Sequence, residues 1–493
     1  MQVIGTAGHV DHGKSTLVRR LTGIDPDRFA EEKRRGLTID LGFAWLLLPS
    51  GREAGVVDVP GHERFVRNML AGAGGITVCL FVVDAAEGWM PQSAEHLAIL
   101  DVLGVSSGVV ALTKADAVDA ETIALATEEV SEKLSGTSLQ GAPVVPCSAV
   151  TGAGIADLVA ALDAAVAAAP APPDLGAPRL WVDRVFTIAG AGTVVTGTLM
   201  RGSLRAGDEV EIAPDGRRAR IRAIQSHKKE LPEVGPGNRV ALNLAGLARQ
   251  GAERGDAVVA PGTWRATKRV DAKLRVLPSA VTGSDVALTE KGAHLLYAGS
   301  AETPVRLKLL GTAKVRPGDE AYAQLHLATP LPLVARDRFV IRDAGRVLTL
   351  GGGEVLDPLP GEARRSDRAR LELLAELEAG DDGARLAALV GAAAGLDAAE
   401  ASFRSGAAEA GPGVVRLASW LVTSDRLAEL KQTVLDTLEE HHRARPLERG
   451  MAREALRQEV PLGAEAFDAL LDRTDGVVQE GALVRSASHR VAF

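Results

Sequence analysis

The stretch "TAGHVDHGKST", residues 6–16, follows the first apolar run of the chain and decides how the N-terminal region folds. It fits the pattern G-x-x-x-x-G-K-[ST] through Gly8, Gly13, Lys14 and Ser15, which is typical of phosphate-binding loops. Glycines let backbone N–H groups face an anion, and a helix beginning at Lys14 would add its positive end. The motif alone is also compatible with a glycine-rich turn that binds nothing, so the choice between the two depends on the rest of the sequence.

The pattern of apolar runs predicts several domains. Residues 1–168 alternate short apolar runs with helical stretches, which indicates an α/β domain whose parallel-type sheet has helices on both faces. After a proline-rich linker, strand-like segments with Gly, Pro and Asp turns predict two β-barrels, divided near Thr263–Lys268. Two helical stretches, each followed by a strand pair, then predict winged-helix modules. We expect these domain boundaries: 1–172, 175–262, 263–360, 361–424 and 425–493.

Composition limits the classes of function. The chain has 493 residues, of which 46% are hydrophobic, and a formal net charge of −8, so it can build real cores but is not a generally basic nucleic-acid-coating protein. Its two cysteines, Cys79 and Cys147, lie in apolar runs and are expected to be buried thiols of a cytosolic protein. No leader or membrane-spanning run is seen, so we expect a cytoplasmic protein, without membrane attachment and monomeric.

Further candidate residues follow the loop in a fixed order. Ligands of open α/β sheets bind beyond the carboxyl ends of the strands, where all of these except Thr38 are expected. They are Thr38 in "RGLTID", Asp58 and Gly61 in "DVPGH", Lys114 and Asp116 in "TKAD", and Ser148 and Ala149 in "CSA". A lone "TKAD" or "DVPG" is usually a strand end or a turn, but their joint order predicts a guanine nucleotide site.

Each candidate has a chemical task. Lys14 would reach the β- and γ-phosphates, while Ser15, Thr38 and Asp58 would hold Mg²⁺, Asp58 through water. Thr38 could do so only while the γ-phosphate is present, which makes its segment a switch. The backbone N–H of Gly61 would sense the γ-phosphate, and the other phosphate contacts would come from the loop. The loop residues are Gly8, His9, Val10, Asp11, His12, Gly13, Lys14, Ser15 and Thr16.

Two residues would decide specificity and turnover. Asp116 can accept two hydrogen bonds from guanine N1 and N2, and leaving this carboxylate buried and unpaired against adenine would cost on the order of a few kcal/mol. GTP and GDP are therefore expected rather than ATP. His62, directly after Gly61, is the candidate that orients the attacking water, although a histidine after a glycine is by itself more often a surface turn residue.

The motifs together resemble the elongation factor Tu class of translational GTPases, and most closely the selenocysteine-specific elongation factor family. Thr113 stands in "TKAD" where elongation factor Tu has asparagine, "WVDRVFTIAGAGTVVTG" and "GNRVALNLAG" resemble that family's second domain, and "HRARPLERGM" resembles its second winged-helix module. The resemblance implies that guanine contacts Thr113, Lys114, Asp116, Ser148 and Ala149.

The resemblance also implies the cargo and the partners. The family carries selenocysteinyl-tRNA to the ribosome at recoded UGA codons and separates it from the seryl form, which differs by one atom. Because a selenol is largely ionised at neutral pH, a cationic pocket could separate them. The family's pocket residues correspond to Asp183, Arg184 and Arg239, the two arginines facing the selenolate and Asp183 the amino group; ordinary barrel-surface charges are the alternative.

The tail departs from the family pattern. The resemblance implies four winged-helix modules, the last of which grip the selenocysteine insertion hairpin of the mRNA, whereas the sequence predicts two. Residues 361–493 hold 17 Lys and Arg against 23 Asp and Glu, a net charge of −6 that does not favour RNA. We therefore expect a spacer, with hairpin binding in doubt. Another carrier of the same class, or a GTP-regulated scaffold without turnover, stays an alternative.

Overall fold

The computed structural model describes residues 2–26, 38, 40–61, 68–70, 75–188, 192–247, 251–346, 348–407 and 409–491. His62, the candidate for orienting water, lies outside these residues. Two compact units divide the chain: one holds 1–333, 337–355 and 362–366, and the other holds 334–336, 356–361 and 367–493. Within the described residues, no helix is long and apolar enough to cross a membrane.

The N-terminal domain contains a six-stranded sheet with the order β2-β3-β1-β4-β5-β6. Its strands are β1 Gln2–Ala7, β2 Gly42–Leu47, β3 Glu53–Asp58, β4 Val78–Asp84, β5 Gly108–Thr113 and β6 Val144–Pro146. Its helices are α1 Lys14–Thr22, α2 Pro91–Val102, α3 Ala120–Leu134 and α4 Ile155–Ala168, with a 3-10 turn at Ala115–Ala117. The sheet is parallel except for β2, an edge strand that pairs antiparallel with β3 and that the sequence analysis did not predict.

Alternating residues of β4 show why both faces of this sheet are covered. Leu80 and Val82 pack into a core with α1 and α4, whereas Phe81 and Val83 pack into a second core with α2 and α3. Since successive strand residues point to opposite faces, a near-continuous apolar strand requires a helix layer on each side. The predicted α/β architecture is confirmed, and Cys79 and Cys147 are both buried thiols.

Two closed β-barrels follow. The first closes in the order β10-β15-β7-β8-β14-β11, and the second in the order β16-β21-β19-β18-β22-β23. Each has its own apolar core, so the two barrels are confirmed. The strands of the first are β7 Arg179–Ile188, β8 Gly192–Met200, β10 Glu209–Ala213, β11 Arg217–Ser226, β14 Asn238–Ala245 and β15 Ala257–Val259; β12 Lys229–Leu231 pairs with β11, and β9 Leu204–Arg205 pairs with β13 Glu233–Val234 in a separate small sheet. Those of the second are β16 Thr267–Val276, β18 His294–Ala298, β19 Ala301–Leu310, β21 Glu320–Leu331, β22 Arg338–Asp343 and β23 Leu348–Asp357; β17 Leu288–Thr289 pairs with β20 Lys314–Val315 in a separate small sheet, and a short helix is α5 Ser279–Thr282.

The C-terminal unit has the predicted winged-helix composition. Two small three-stranded sheets each accompany three helices, because each helical stretch needs a sheet to cover its apolar stripe. The first group is α6 Arg368–Ala379, α7 Asp382–Ala392, β24 Leu396–Asp397, α8 Ala398–Ser405, β25 Val414–Leu417 and β26 Trp420–Thr423. The second is α9 Ser424–Ala444, β27 Met451–Ala452, α10 Arg453–Gln458, α11 Ala464–Leu471, β28 Val477–Glu480 and β29 Leu483–Ser486.

Candidate nucleotide site and aminoacyl pocket

The predicted phosphate loop connects β1 to α1. Gly8 has a φ of +123°, and a Cβ on it would lie 2.1 Å from the carbonyl oxygen of Val82, so only glycine fits. Gly13, with a φ of +87°, is the residue before α1. The loop backbone is held by α2: the Gly8 N–H donates to His96 Nδ1 at 3.1 Å, and the Val10 N–H donates to a Gln92 oxygen at 3.0 Å.

Lys14 lies inside this loop. Its amine donates to the carbonyl oxygen of Gly8 at 3.0 Å and to that of His9. Burial lowers the pKa of Lys14 to about 8, and a bound anion would favour the protonated form of the amine. Burial also lowers the pKa of His96 to about 3, so its imidazole is neutral and can accept the Gly8 N–H. The loop therefore presents a desolvated lysine and an oriented backbone.

Three predicted metal ligands meet at the start of α1. Ser15 Oγ lies 2.6 Å from Asp58 Oδ2 and 2.7 Å from Thr38 Oγ1. Thr6 Oγ1 donates to the other oxygen of Asp58 at 2.7 Å, which fixes the fully buried carboxylate. Hydroxyl and carboxylate oxygens form a hard donor set that fits Mg²⁺, and the three side chains are close enough to share one ion and its waters.

Gly61 lies against the phosphate loop. A Cβ on Gly61 would lie 2.4 Å from Lys14 Nζ and 2.8 Å from the Val10 nitrogen, so this approach requires glycine. The backbone of Gly61 is thus placed beside the lysine, as a residue that senses the γ-phosphate must be. Asp11 has a φ of 64°, and His12 is fully buried, with its Nε2 3.3 Å from a Glu87 oxygen. His12 therefore packs inside the protein.

The predicted guanine residues differ in their surroundings. Thr113 is buried and donates to the carbonyl oxygens of His12 and Val83, at 2.7 and 3.2 Å, so its side chain fastens β5 to the phosphate loop. Lys114 has a φ of 55° and its amine lies 2.5 Å from a buried carboxylate oxygen of Asp84, a bond that raises the pKa of Lys114. Asp116 is exposed, not buried as the specificity argument assumed.

Ser148 and Ala149 belong to the turn that follows β6. Ser148 is buried, its N–H donates to the Ala153 carbonyl at 2.9 Å, and its Oγ accepts from the Thr151 N–H at 3.1 Å. These bonds shape the turn, which lies beyond the carboxyl end of the strand with Ala149 partly exposed. The ends of β1, β3, β5 and β6 thus carry the candidates, where an α/β sheet binds its ligand.

The predicted aminoacyl residues lie on the first barrel. The pairing of β7 with β8 shifts register between Val182 and Arg184, and such a bulge re-aims the side chains next to it. Arg239 Nη2 on β14 donates to both oxygens of Asp183, at 2.9 and 3.0 Å, and Thr196 Oγ1 donates to Asp183 at 2.6 Å. Asp183, which is buried, and Arg239, which is partly buried, therefore form an ion pair.

Arg184 has a different partner. Its Nη2 donates to an Asp40 carboxylate oxygen at 2.9 Å and to the carbonyl oxygen of Leu41. Both acceptors belong to the nucleotide domain, so the pocket contains residues from two domains.

Phe43 of β2 was missed by the sequence analysis. The guanidinium carbon of Arg239 lies 3.4 Å from the centroid of the Phe43 ring, and that of Arg184 lies 4.7 Å from it. The aromatic ring stabilises both cations, so each guanidinium is held against the same side chain. A single aromatic in the apolar stretch "GFAWLL" carries no local signal for this contact, because its partners lie more than 140 positions away.

Comparisons with known proteins agree with this architecture. Residues 1–168 match the family model of the elongation factor Tu GTP binding domain, and residues 192–259 match that of elongation factor Tu domain 2. A GTP-binding domain of this type followed by two barrels defines a translational GTPase. Residues 275–362 match the β-barrel domain of selenocysteine-specific elongation factors, and residues 435–488 match a winged helix of elongation factor SelB.

Individual relatives narrow the assignment. The selenocysteine-specific elongation factor of Desulfomicrobium baculatum is 39% identical over 475 residues, covering 92% of this chain and 73% of the relative. That of Escherichia coli is 35% identical, covering 95% and 75%. A crystal structure of a bacterial selenocysteine-specific elongation factor matches with a TM-score of 0.81 and 27% identity, over 99% of this chain and 80% of that one. The chain belongs to the selenocysteine-specific elongation factor family.

The solved structures also bear on the nucleotide. SelB of Methanococcus maripaludis, solved in complex with the GTP analogue GPPNHP, matches with a TM-score of 0.63 and 27% identity, over 73% of this chain and 79% of that one. Together with the match to the elongation factor Tu GTP binding domain, this identifies GTP and GDP as the nucleotides and the chain as a GTPase.

Proposed function

We propose that this chain binds GTP with Mg²⁺, carries selenocysteinyl-tRNA to the ribosome and hydrolyses GTP there. The observation that carries the proposal is the meeting of Arg184 and Arg239 over the ring of Phe43, which belongs to the nucleotide domain. This geometry places two charged donors beside the domain that binds GTP. It supports a GTP-controlled site for an anionic side chain.

In the nucleotide site, each residue is assigned one step. The Lys14 amine and the loop N–H groups would bind the phosphates, while Ser15, Thr38 and Asp58 would hold Mg²⁺, which neutralises phosphate charge when bound. Guanine would meet Lys114 and Asp116, whose exposed carboxylate would be covered by the base. Ser148 and Ala149 would support the base from the neighbouring turn.

His62 would orient the attacking water. This assignment rests on the place of His62 in the sequence, directly after Gly61, which lies against Lys14. The proposal assigns slow hydrolysis to the chain alone and fast hydrolysis when the ribosome positions this residue. This separates a translation factor from a scaffold that binds GTP without turnover.

In the aminoacyl pocket, Arg184 and Arg239 would donate to the selenolate and Asp183 would accept from the amino group. A charged hydrogen bond is worth about 1.5–3 kcal/mol, more than a neutral one to the serine hydroxyl, so the pocket favours the selenocysteinyl form. The net charge of −6 over residues 361–493 does not favour RNA, so we propose that this stretch acts as a spacer.

One experiment tests the central claim. The affinities of the full chain for selenocysteinyl- and seryl-tRNA, prepared on the same tRNA body, are measured with GTP and with GDP, and hydrolysis is measured with and without ribosomes. We expect a preference for the selenocysteinyl form that requires GTP, and turnover that requires ribosomes. Equal binding of both aminoacyl forms would reject the specialist carrier, and absent turnover would favour a scaffold.

A further inference from the structure

Thr38 and Asp40 are two positions apart in the sequence, and each contacts one of the two candidate sites. At one end, Thr38 Oγ1 lies 2.7 Å from Ser15 Oγ in the oxygen cluster. Two residues further on, Asp40 accepts from Arg184 Nη2 at 2.9 Å, and its other carboxylate oxygen lies 3.8 Å from Arg254. Asp40 is therefore placed between the metal-binding candidates and two arginines of the first barrel.

We infer that Asp40 is a positioning residue that couples the nucleotide state to the aminoacyl pocket by fixing the guanidinium of Arg184. This inference rests on the proposed function, and adds to it the connection between its two sites. When the γ-phosphate and its metal hold Thr38, the Asp40 carboxylate and the Leu41 carbonyl, close to it in sequence, are presented to Arg184. Without the γ-phosphate, Thr38 is released and Arg184 loses two fixed acceptors.

The bonding of Arg184 leaves room for the ligand. Both bonds, to Asp40 and to the carbonyl of Leu41, use the same Nη2 nitrogen, so the Nη1 and Nε donors are not used by them. The guanidinium also lies over the ring of Phe43, which belongs to the strand that begins two residues after Asp40. The Arg184 guanidinium is thus oriented by the bonds of its Nη2 and by the ring of Phe43, while its Nη1 and Nε groups can donate to an anionic side chain.

Other ion pairs join the nucleotide domain to the barrels and do not have this arrangement. Lys229 lies 2.8 Å from Glu53 on the hairpin of β2 and β3, and Arg275 lies 2.7 Å from Asp101 at the end of α2. Neither carboxylate belongs to the segment that follows Thr38. Glu53→Gln therefore provides a matched control, because this substitution removes an ion pair between the same nucleotide domain and the same barrel.

The factor by which GTP changes the affinity for selenocysteinyl-tRNA can be measured, and a general loss of stability would not change this factor in the same way from both directions. If GTP strengthens binding of selenocysteinyl-tRNA by some factor, then that tRNA must strengthen binding of GTP by the same factor. Loss of one charge-assisted hydrogen bond between partly exposed side chains corresponds to a fall in this factor of about tenfold. Because the GTP-bound state also presents Asp40 to Arg184, GTP affinity without tRNA is measured for every variant, and the coupling factor is the ratio of the GTP affinities with and without that tRNA.

The experiment uses the full chain and the variants Asp40→Ala, Asp40→Asn, Asp40→Glu and Glu53→Gln. For each we measure selenocysteinyl-tRNA affinity with GTP and with GDP, GTP affinity with and without that tRNA, and the melting temperature. We expect the coupling factor to fall about tenfold in Asp40→Ala by both routes, less in Asp40→Asn, to recover in part in Asp40→Glu, and to stay at the original value in Glu53→Gln.

The outcomes separate this inference from the proposed function. If the unmodified chain binds selenocysteinyl-tRNA no better than seryl-tRNA, the proposed function is wrong and the coupling residue is wrong with it. If the unmodified chain discriminates and depends on GTP, but Asp40→Ala keeps the whole coupling factor, only the role of Asp40 is wrong. An equal fall of the coupling factor in Glu53→Gln would also overturn the role of Asp40, because any ion pair between the two domains would then contribute equally to the coupling.

Discussion

Replacing Arg239 by alanine is the change that most directly tests the aminoacyl pocket. Arg239 donates to both oxygens of Asp183, and its guanidinium carbon lies 3.4 Å from the centroid of the Phe43 ring. The substitution removes one charged donor from the pocket and also leaves the Asp183 carboxylate without this cation. We expect two separable effects, a loss of discrimination between selenocysteinyl- and seryl-tRNA and a loss of stability.

The size of both effects follows from the surroundings of Arg239. A hydrogen bond to a charged group is worth about 1.5–3 kcal/mol, and a neutral one about 0.5–1.5 kcal/mol. An ionised selenol should therefore lose about 1–1.5 kcal/mol more than a hydroxyl, so the ratio of the two tRNA affinities falls about five- to twelvefold. The side chains of Asp183 and Arg239 are 7% and 15% exposed, and Thr196 still donates to Asp183, so the loss of unfolding free energy should stay below the roughly 3–5 kcal/mol of a fully buried pair.

Arg179→Ala is the matched control for the loss of stability. Arg179 lies on the same strand as Asp183, donates to both oxygens of Asp337 at 2.6 and 2.7 Å, and contacts two tryptophan rings. The assay is protection of the aminoacyl ester from spontaneous hydrolysis in the presence of GTP, with the unfolding free energy measured in parallel. Both variants should lose stability, and only Arg239→Ala should lose discrimination. An unchanged ratio in Arg239→Ala, or an equal fall in both variants, would refute the assignment.

Three further predictions concern the nucleotide site. GTP affinity, measured by calorimetry, should fall above pH 8 by up to about tenfold per pH unit. Burial lowers the pKa of Lys14 to about 8, so above that pH the neutral amine must take up a proton as the phosphates bind. Lys14→Ala should bind GTP weakly, and its affinity should lack this dependence on pH. His62→Ala should abolish ribosome-stimulated phosphate release while sparing GTP affinity, and unchanged release would contradict its role. In a denaturant titration, Gly8→Ala should lower the unfolding free energy by about 1–3 kcal/mol or more, because φ is positive there and the new Cβ would meet the Val82 carbonyl. Gly13→Ala should lower the unfolding free energy less, because no atom lies within 4 Å of a Cβ at position 13.

The phosphate loop could be predicted because its determinants are local. A strand, a glycine that must adopt positive φ, a lysine and the start of a helix all lie within a dozen residues, and their order is enough to specify the turn. The barrels could be predicted in the same way, from alternating strands and turn residues. In both cases the physical constraint acts between close neighbours in sequence, so the pattern survives without knowledge of the packing.

The surroundings of the site residues could not be predicted in this way. The motif identifies Thr113 but not that its hydroxyl bonds the carbonyl of His12, a contact that depends on the distance between two strand ends. Asp40 and Phe43 were missed for the same reason, since their partners belong to a barrel far along the chain. The edge strand β2 was missed because a short apolar run fits a strand or a buried helix equally well.

The charges around Phe43 change how the pocket can select its ligand. Arg239 already faces Asp183, and Arg184 already faces Asp40, so these four side chains together carry no net charge. These two ion pairs therefore supply no excess of positive charge for a selenolate, and Arg254, 3.8 Å from Asp40, is a further cation beside them. A selenocysteinyl ester, however, brings a protonated amino group and an anionic side chain, and each could take one partner of opposite sign while the total stays neutral. A seryl ester brings only the amino group and would leave an arginine donor facing a weak acceptor. Selection then depends on pairing every charge, which is why removal of Arg239, which takes away both a donor and a positive charge, should reduce discrimination.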